Sequence, residues 1–346
     1  MVVDENADSH FLDSGSGKRP GNCLVAKAAS IQQPLSMVKS AGTKLSVLIN
    51  AYNYRRYVGE AVASALGQTC APLEVIVVDD GSTDGTAEWI EAEFCAREPR
   101  VRVIAQANAG QLAAMQAGVA AARGDVVFFL DADDTWAPGY LEAALARFEL
   151  YPSIDYLFSG HVRSDGLPSQ NLGEKGDRVL GRRSAQAYVT GKFPISITST
   201  LAMRTALARR FLPAPGEILG DWKTDGDQVL ALGAALAGGC GAFLSGPWVR
   251  YRIHGANHFA GKAGHRDPAA RASRKARAER TRRVLVEHLG LGPEAADRIA
   301  EEFLTVERPR WREFRRALKT AAASPGGLAL RAALAAAILR RFIFRG

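Results

Sequence analysis

Four times between residues 45 and 150 a short run of aliphatic and β-branched residues gives way to a stretch with helical apolar spacing. The runs are 45–49, 74–78, 101–105 and 126–130; the first is followed by Val58, Val62, Ala65 and Leu66, and the others by stretches 86–96, 111–122 and 138–150. Strands repeat every two residues and helices every 3.6, so the alternation reads as four βα units in series. Parallel strands need crossover helices, and such units are expected to build an α/β, Rossmann-like, mostly parallel sheet with helices on both faces. With 346 residues, 47% of them hydrophobic, the chain suits one large domain with additions or two smaller ones, and wholesale disorder is excluded.

In a sheet of this kind ligands bind outside the carboxyl ends of the strands. Those ends are polar and acidic: Asn50 to Asn53 after the first run, Asp79, Asp80 and Asp84 after the second, and Asp131, Asp133 and Asp134 after the fourth. Unpaired buried carboxylates are costly, so these groups are expected to face water, metal or ligand. Asp131 and Asp133, two apart at a strand end, project to the same side and can converge on Mg²⁺ or Mn²⁺. Asp134 or Thr135 is a candidate cap for the helix that follows, and Asp84 one for the helix at 86. An Asp in the 75–86 segment can also accept an N–H from a base ring.

The net charge of +8 is local, because the stretch 262–283 holds nine Lys/Arg against Asp267 and Glu279. This argues against a chain built throughout to wrap nucleic acid and for one basic surface attached to something else. No stretch reaches the roughly 18–20 apolar residues of a membrane span. The four cysteines form no close pair and no secretory leader precedes them, so a reducing cytoplasm is expected.

Five segments in fixed order, 45–53, 64–69, 74–84, Asn108-Ala109-Gly110 and 124–134, together resemble glycosyltransferase family 2 over about 100 residues. The resemblance implies a GT-A fold, a nucleotide-diphosphate sugar donor, a divalent metal (Mn²⁺ or Mg²⁺) and transfer with inversion. It puts Asn50 and Tyr52 beside the nucleotide, with Tyr52 on the base and Asp80 on its ring N–H. Asp131 then meets ribose or metal, and Asp133 metal. Asn108, Gly110 and Gln111 precede a helix whose N–H groups either meet the donor or are simply capped.

Inversion needs a base for the acceptor hydroxyl. The family places it in a Glu-Asp pair at a helix start, and the matching stretch here is Thr224-Asp225-Gly226-Asp227. Asp227 fits best, while Gly226 replaces the first acid and leaves Asp225 and Asp221 as substitutes. The segment 248–257 resembles the family's Tyr-Arg-x-His-x-x-Asn motif, which makes His254 a metal ligand or diphosphate contact. Arg252 becomes a diphosphate partner, with Arg250 an equal candidate.

The expected organisation is a flexible leader 1–43, a catalytic domain 44–260 (nucleotide-sugar half 44–135, acceptor half 136–260, with a strand at 195–203) and a basic helical extension 261–346. That extension should hold helices at 271–289, 293–319 and 327–344, which either pack on the domain or meet an anionic membrane. The function expected is an inverting, metal-dependent glycosyltransferase acting on a hydroxyl of a glycan, lipid-linked or small-molecule acceptor, in cell-surface polysaccharide or glycoconjugate synthesis. It is expected in the cytoplasm or at the inner membrane face, with no nucleic-acid partner. The alternatives are a nucleotidyltransferase, or an inactive membrane- or nucleic-acid-binding protein on the same scaffold.

Overall fold

A computed structural model describes residues 42–167, 169, 176–255 and 268–344. Most of the leader, and the 262–267 part of the basic run, lie outside the described residues. The first half follows the expected order: β1 (Leu45–Ala51), α1 (Arg55–Leu66), β2 (Glu74–Asp79), α2 (Thr86–Ile90), β3 (Val101–Ala105), α3 (Gln111–Ala121) and β4 (Val126–Asp131). After it come β5 (Thr135–Trp136), α4 (Tyr140–Leu150), β6 (Tyr156–Arg163), β7 (Arg178–Arg182), α5 (Ser184–Thr190), β8 (Leu201–Arg204), α6 (Thr205–Phe211), α7 (Gly216–Leu219), α8 (Gly226–Leu236) and β9 (Cys240–Tyr251).

The strands form one sheet in the order β3-β2-β1-β4-β8-β6-β9-β5, with β7 also on β9. β3, β2, β1 and β4 pair in parallel, β8 runs antiparallel to β4 and β6, and β9 runs parallel to β6. All seven residues of β1 are buried, as a strand covered on both faces requires. Leu45, Val47 and Ile49 enter the core beneath α1 and α4, while Leu48 enters the core beneath α3 and α8. A Cβ at Gly118 would lie 1.6 Å from Leu48 Cδ1, so that glycine sets how closely α3 approaches the sheet.

Three expected elements of the sheet domain differ. The helix at 86–96 changes after Ile90 into a π turn over Glu91–Cys95. The 195–203 strand shortens to β8, because Thr198–Thr200 coil into a 3₁₀ turn whose side chains serve the site. The 138–150 helix starts at Tyr140 behind left-handed Gly139, so neither Asp134 nor Thr135 caps it.

Beyond β9 come α9 (Pro268–His288), α10 (Ile299–Leu304), α11 (Trp311–Ala322) and α12 (Leu328–Phe344). The single helix expected over 293–319 is divided, since Arg308 takes φ +46° and Pro309 has no N–H to continue a helix. These helices pack on the sheet domain. Ile299, Phe303, Phe314, Leu334 and Ile338 form a third core that takes in Ala185 of α5. Buried Glu302 of α10 accepts the Ala185 N–H at 3.0 Å and the Ser184 hydroxyl, and so holds the start of α5.

Glu302→Ala would leave those donors buried without a partner, a change expected to cost about 2 kcal/mol. Urea denaturation checks this; an unchanged midpoint and slope would show that the extension does not brace α5.

Candidate active site

Asn50 pairs in register with Val78 on one side and Asp131 on the other, so β1, β2 and β4 deliver their polar ends to one crevice. The Asn50 amide is buried with no hydrogen-bond partner, whereas Tyr52 is 47% exposed at the mouth. Asn53, at φ +58°, joins the loops after β1 and β2: its N–H donates to Ser82 Oγ at 2.8 Å, and its Oδ1 accepts the Thr83 N–H at 2.8 Å. Asp84 accepts the Thr86 N–H at 3.1 Å and the Arg55 N–H at 3.1 Å, the structural role expected of it.

Asp80, Asn108, Gly110 and Gln111 come together, but their hydrogen bonds are spent on the scaffold. Asp80 is buried and its carboxylate accepts Gln106 Nε2 (2.7 Å), the Ala109 N–H (2.9 Å) and the Gly110 N–H (2.7 Å). Asn108 Nδ2 donates to the Asp80 carbonyl at 2.9 Å. The first amides of α3 do not open on the crevice either, because Gln111 N–H donates to Lys223 O at 3.1 Å and Leu112 N–H to Trp222 O at 3.3 Å. Gly110 is required where it stands: its φ is +94°, and a Cβ there would lie 2.7 Å from Lys223 Cα. The expectation that these amides meet the donor is corrected accordingly, since the loop ahead of α8 already occupies them.

The acidic end of β4 is held by neutral donors. Asp131 Oδ1 accepts Gln111 Nε2 at 3.0 Å. Ser199 Oγ accepts the Asp131 N–H at 3.1 Å and donates to Asp134 Oδ2 at 2.6 Å, while Asp134 Oδ1 accepts the Arg252 N–H at 2.9 Å. Asp134 thus braces the loop that carries Arg252 and His254. Burial, then the Asp133 charge, push the Asp131 carboxyl up to about 7; burial and the same neighbours raise Asp134 as well.

His254 Nε2 lies 2.9 Å from Asp133 Oδ2, with its ring stacked on Tyr57 at 4.9 Å. Arg252 is not aimed at open crevice: its Nε donates to Asp133 O at 2.8 Å, its Nη2 pairs with Glu60 at 2.6 Å, and its guanidinium lies 5.2 Å over Tyr57. A cavity of about 330 Å³ adjoins His254 and is lined by Arg56, Arg250 and Arg252.

Among the described residues no three His, Cys, Asp or Glu side chains are grouped to hold a metal by themselves. The donor set still suits a hard divalent cation shared with a ligand: an adjacent carboxylate and imidazole, beside a second carboxylate disfavoured by like charge. Such an ion would complete its shell from oxygens of a bound diphosphate.

Asp227 sits in the first turn of α8 behind Asp225, which adopts φ +66°. Burial, then the charges of Asp131 and Asp225, raise the Asp227 carboxyl well above the usual range. The two substitutes have other partners: Asp225 pairs with Arg277 at 3.1 Å and Asp221 with Arg280 at 3.1 Å, both from α9. Gln111 joins the halves of the site, since its Oε1 accepts the Gly226 N–H at 2.9 Å while its Nε2 holds Asp131. Ser199, Gln111 as a bridge, and Arg277 escaped sequence reasoning; a hydroxyl run inside an apolar segment was the only signal, and it pointed to Ser199 alone.

The sheet is of the GT-A type, with its strand ends converging on an acidic crevice. Residues 46–211 match the sequence model of Glycosyl transferase family 2, so this part of the chain is a domain of that family. It is 34% identical over 221 residues to an uncharacterized glycosyltransferase of Nostoc sp., covering 62% of this chain and 66% of that protein. It is 41% identical over 121 residues to the chondroitin synthase of Escherichia coli, covering 35% of this chain and only 18% of the synthase. The chain thus spans less than two thirds of these relatives. Among solved structures, S. aureus TarS 1–349 in complex with UDP aligns with a TM-score of 0.54 and 20% identity over 86% of this chain and 89% of that one. The mannosyltransferase PcManGT of Pyrobaculum calidifontis, in complex with GDP-Man and Mn²⁺, aligns with a TM-score of 0.50 and 20% identity over 91% of each. These structural likenesses carry the fold.

Because the folded Asp131 carboxyl lies above its unfolded value of about 3.9, the folded protein keeps this proton where the unfolded chain has released it. Its contribution to stability is full below the unfolded value and is lost as pH rises through about 7. Denaturation of metal-free protein across this window is expected to show a fall that Asp131→Asn lessens, the remainder coming from Asp134 and Asp227, which are raised as well; identical pH profiles for both proteins would refute the shift.

Proposed function

We propose that the chain is an inverting glycosyltransferase that uses a divalent metal and moves a sugar from a nucleotide diphosphate to an acceptor hydroxyl. The observation that carries this reading is the Gln111 bridge, which sets Asp227 against the strand-end acid Asp131 within one crevice. Asn50 and exposed Tyr52 flank the nucleotide, with Tyr52 against the base. Asp80 fixes the 106–110 wall of the base pocket, and the second acceptor position of its Oδ2 is the one a ring N–H would use. Asp133 and His254, with Asp131 beside them, would hold Mn²⁺ or Mg²⁺, which offsets the charge of the departing diphosphate when bound. Arg250, in the cavity beside His254, takes the diphosphate role first assigned to Arg252, because Arg252 is paired with Glu60.

Asp227 acts as the base. A raised proton affinity suits a group that must accept a proton near neutral pH, and its protonation at lower pH shuts the reaction down. The family match answers the nucleotidyltransferase reading. The synthase relatives favour a role in polysaccharide or glycoconjugate assembly.

Thermal shift with a panel of UDP- and GDP-sugars, with and without Mn²⁺, is the first test, since a ligand of the folded state raises apparent stability. Asp133→Ala is expected to remove the metal-dependent part of the shift with the fold intact. Asp227→Asn is expected to retain it while lowering turnover by roughly 10²–10⁴-fold and erasing the acid limb of the pH profile. Normal turnover in Asp227→Asn, or a full metal-dependent shift in Asp133→Ala, would overturn the respective role.

The extension adds a location to the reaction. No helix among the described residues is long and apolar enough to cross a membrane. Yet α12 turns Leu334 and Ile338 inward and leaves Ile343 and Phe344 60% and 81% exposed, next to Arg340 and Arg341. Beside it lies a groove lined by Lys192, Arg312, Arg315, Arg316, Lys319 and the exposed Trp311. Apolar tips among cations suit the interface of an anionic membrane, where each Lys/Arg adds about 1 kcal/mol. The Arg315→Glu/Lys319→Glu double variant, which spares the α11–α12 core, is expected to lose salt-sensitive sedimentation with anionic liposomes. Equal sedimentation with anionic and neutral liposomes in the parent protein would leave this surface without a membrane role.

A further inference from the structure

One set of the residues that hold the Asp227 loop comes from outside the part of the chain that matches the family. Both the loop and α9 lie beyond residue 211, where the match ends. From α9, the Arg277 guanidinium makes three contacts with this loop. Nη1 donates to the Asp221 carbonyl at 3.0 Å, Nη2 donates to Asp225 Oδ2 at 3.1 Å, and the plane lies 4.1 Å over the Trp222 ring. One turn further along α9, buried Thr281 accepts the Trp222 Nε1–H at 2.8 Å, so the indole is fixed at its face and its edge. Arg280 adds bonds to the Glu217 carbonyl and the Asp221 carboxylate.

The loop needs such support. Asp225 stands at φ +66°, a left-handed conformation that Asp tolerates better than most side chains but that remains uncommon outside Gly, and its carboxylate is almost wholly buried. On the opposite side, the α3 amides and Gln111 grip Trp222 O, Lys223 O and the Gly226 N–H. The turn is therefore caught between the catalytic sheet and the C-terminal extension, and Asp227 follows it directly.

We propose that Arg277 is a positioning residue for the transfer reaction, holding residues 221–226 in the left-handed turn that presents Asp227 to the crevice. This rests on the reading of Asp227 as the base. The planar fork matters as well as the charge, because a single guanidinium spans a carbonyl, a carboxylate and an indole face that an ammonium cannot engage together.

The test uses the full chain, with nucleoside diphosphate release measured from UDP-glucose, UDP-N-acetylglucosamine and GDP-mannose in Mn²⁺. Arg277→Ala is expected to lower kcat by about 10–100-fold, the scale of a base displaced by an ångström, with donor KM within about twofold and faster amide exchange at 221–227. Arg277→Lys should recover only part of the loss, and Lys275→Ala, on the exposed face of α9, should leave kcat unchanged. In the Asp227→Asn background Arg277→Ala should add no further loss, because both act on one step. Should Arg277→Ala not fold, a kcat for Arg277→Lys equal to the parent's would overturn the proposal. So would unchanged kcat in a folded Arg277→Ala protein, a matching rise in donor KM, or additive losses in the double variant. Full activity of Asp227→Asn is a separate result and would overturn the assignment of the base itself.

Discussion

Gln111 stands between two sets of carboxylates that repel one another. Its amide nitrogen donates to Asp131 at the end of β4, and its oxygen accepts the Gly226 N–H at the start of α8. A carboxamide can serve both sides because it carries a donor and an acceptor with no charge of its own. Asp131, Asp133, Asp134, Asp225 and Asp227 are close enough for the acidity of several to be set by the others. The rest of the site follows the same rule: Ser199, the Arg252 N–H and the α3 amides are neutral donors that fix acidic or strained segments while leaving the negative potential in place.

The C-terminal helices belong to this arrangement. Glu302 secures the start of α5, and α9 reaches the turn ahead of Asp227. An extension with no share in the family match is therefore mechanically continuous with the catalytic sheet. One of its faces is committed to packing, while the outer face of α12 and the cationic groove beside α11 remain on the surface. Packing on the domain, one of the two roles the sequence allows the extension, is met by the inward side of these helices.

The strands of the first half were legible to within one or two residues, because each is a short run dominated by aliphatic and β-branched residues. The second half was harder to read. The 195–203 segment looks like a strand by composition, but Thr198, Ser199 and Thr200 have polar work at the acidic crevice and coil to reach it. The helix expected over 293–319 breaks at Arg308-Pro309 despite its helical spacing. Asp80 was legible as a site residue but not its orientation: its bonds go to the 106–110 loop, 26 to 30 residues away. Arg252 was likewise legible as a crevice arginine, whereas its partner Glu60 lies 192 residues away.

By itself the sequence determined the βα series, and with it the placing of Asn50, Asp80, Asp131 and Asp133 at the carboxyl ends of parallel strands. Those outcomes follow from local periodicity, which needs no knowledge of distant residues. Only the tertiary structure decided which carboxylate answers to which partner. It gave Asp134 to Ser199 and the Arg252 N–H, Asp225 to Arg277 and Asp221 to Arg280, and left Asp227 facing Asp131. The physical reason is that a buried charge is governed by the donors within about 3 Å of it, and chain closure brings those donors from elements far apart in sequence.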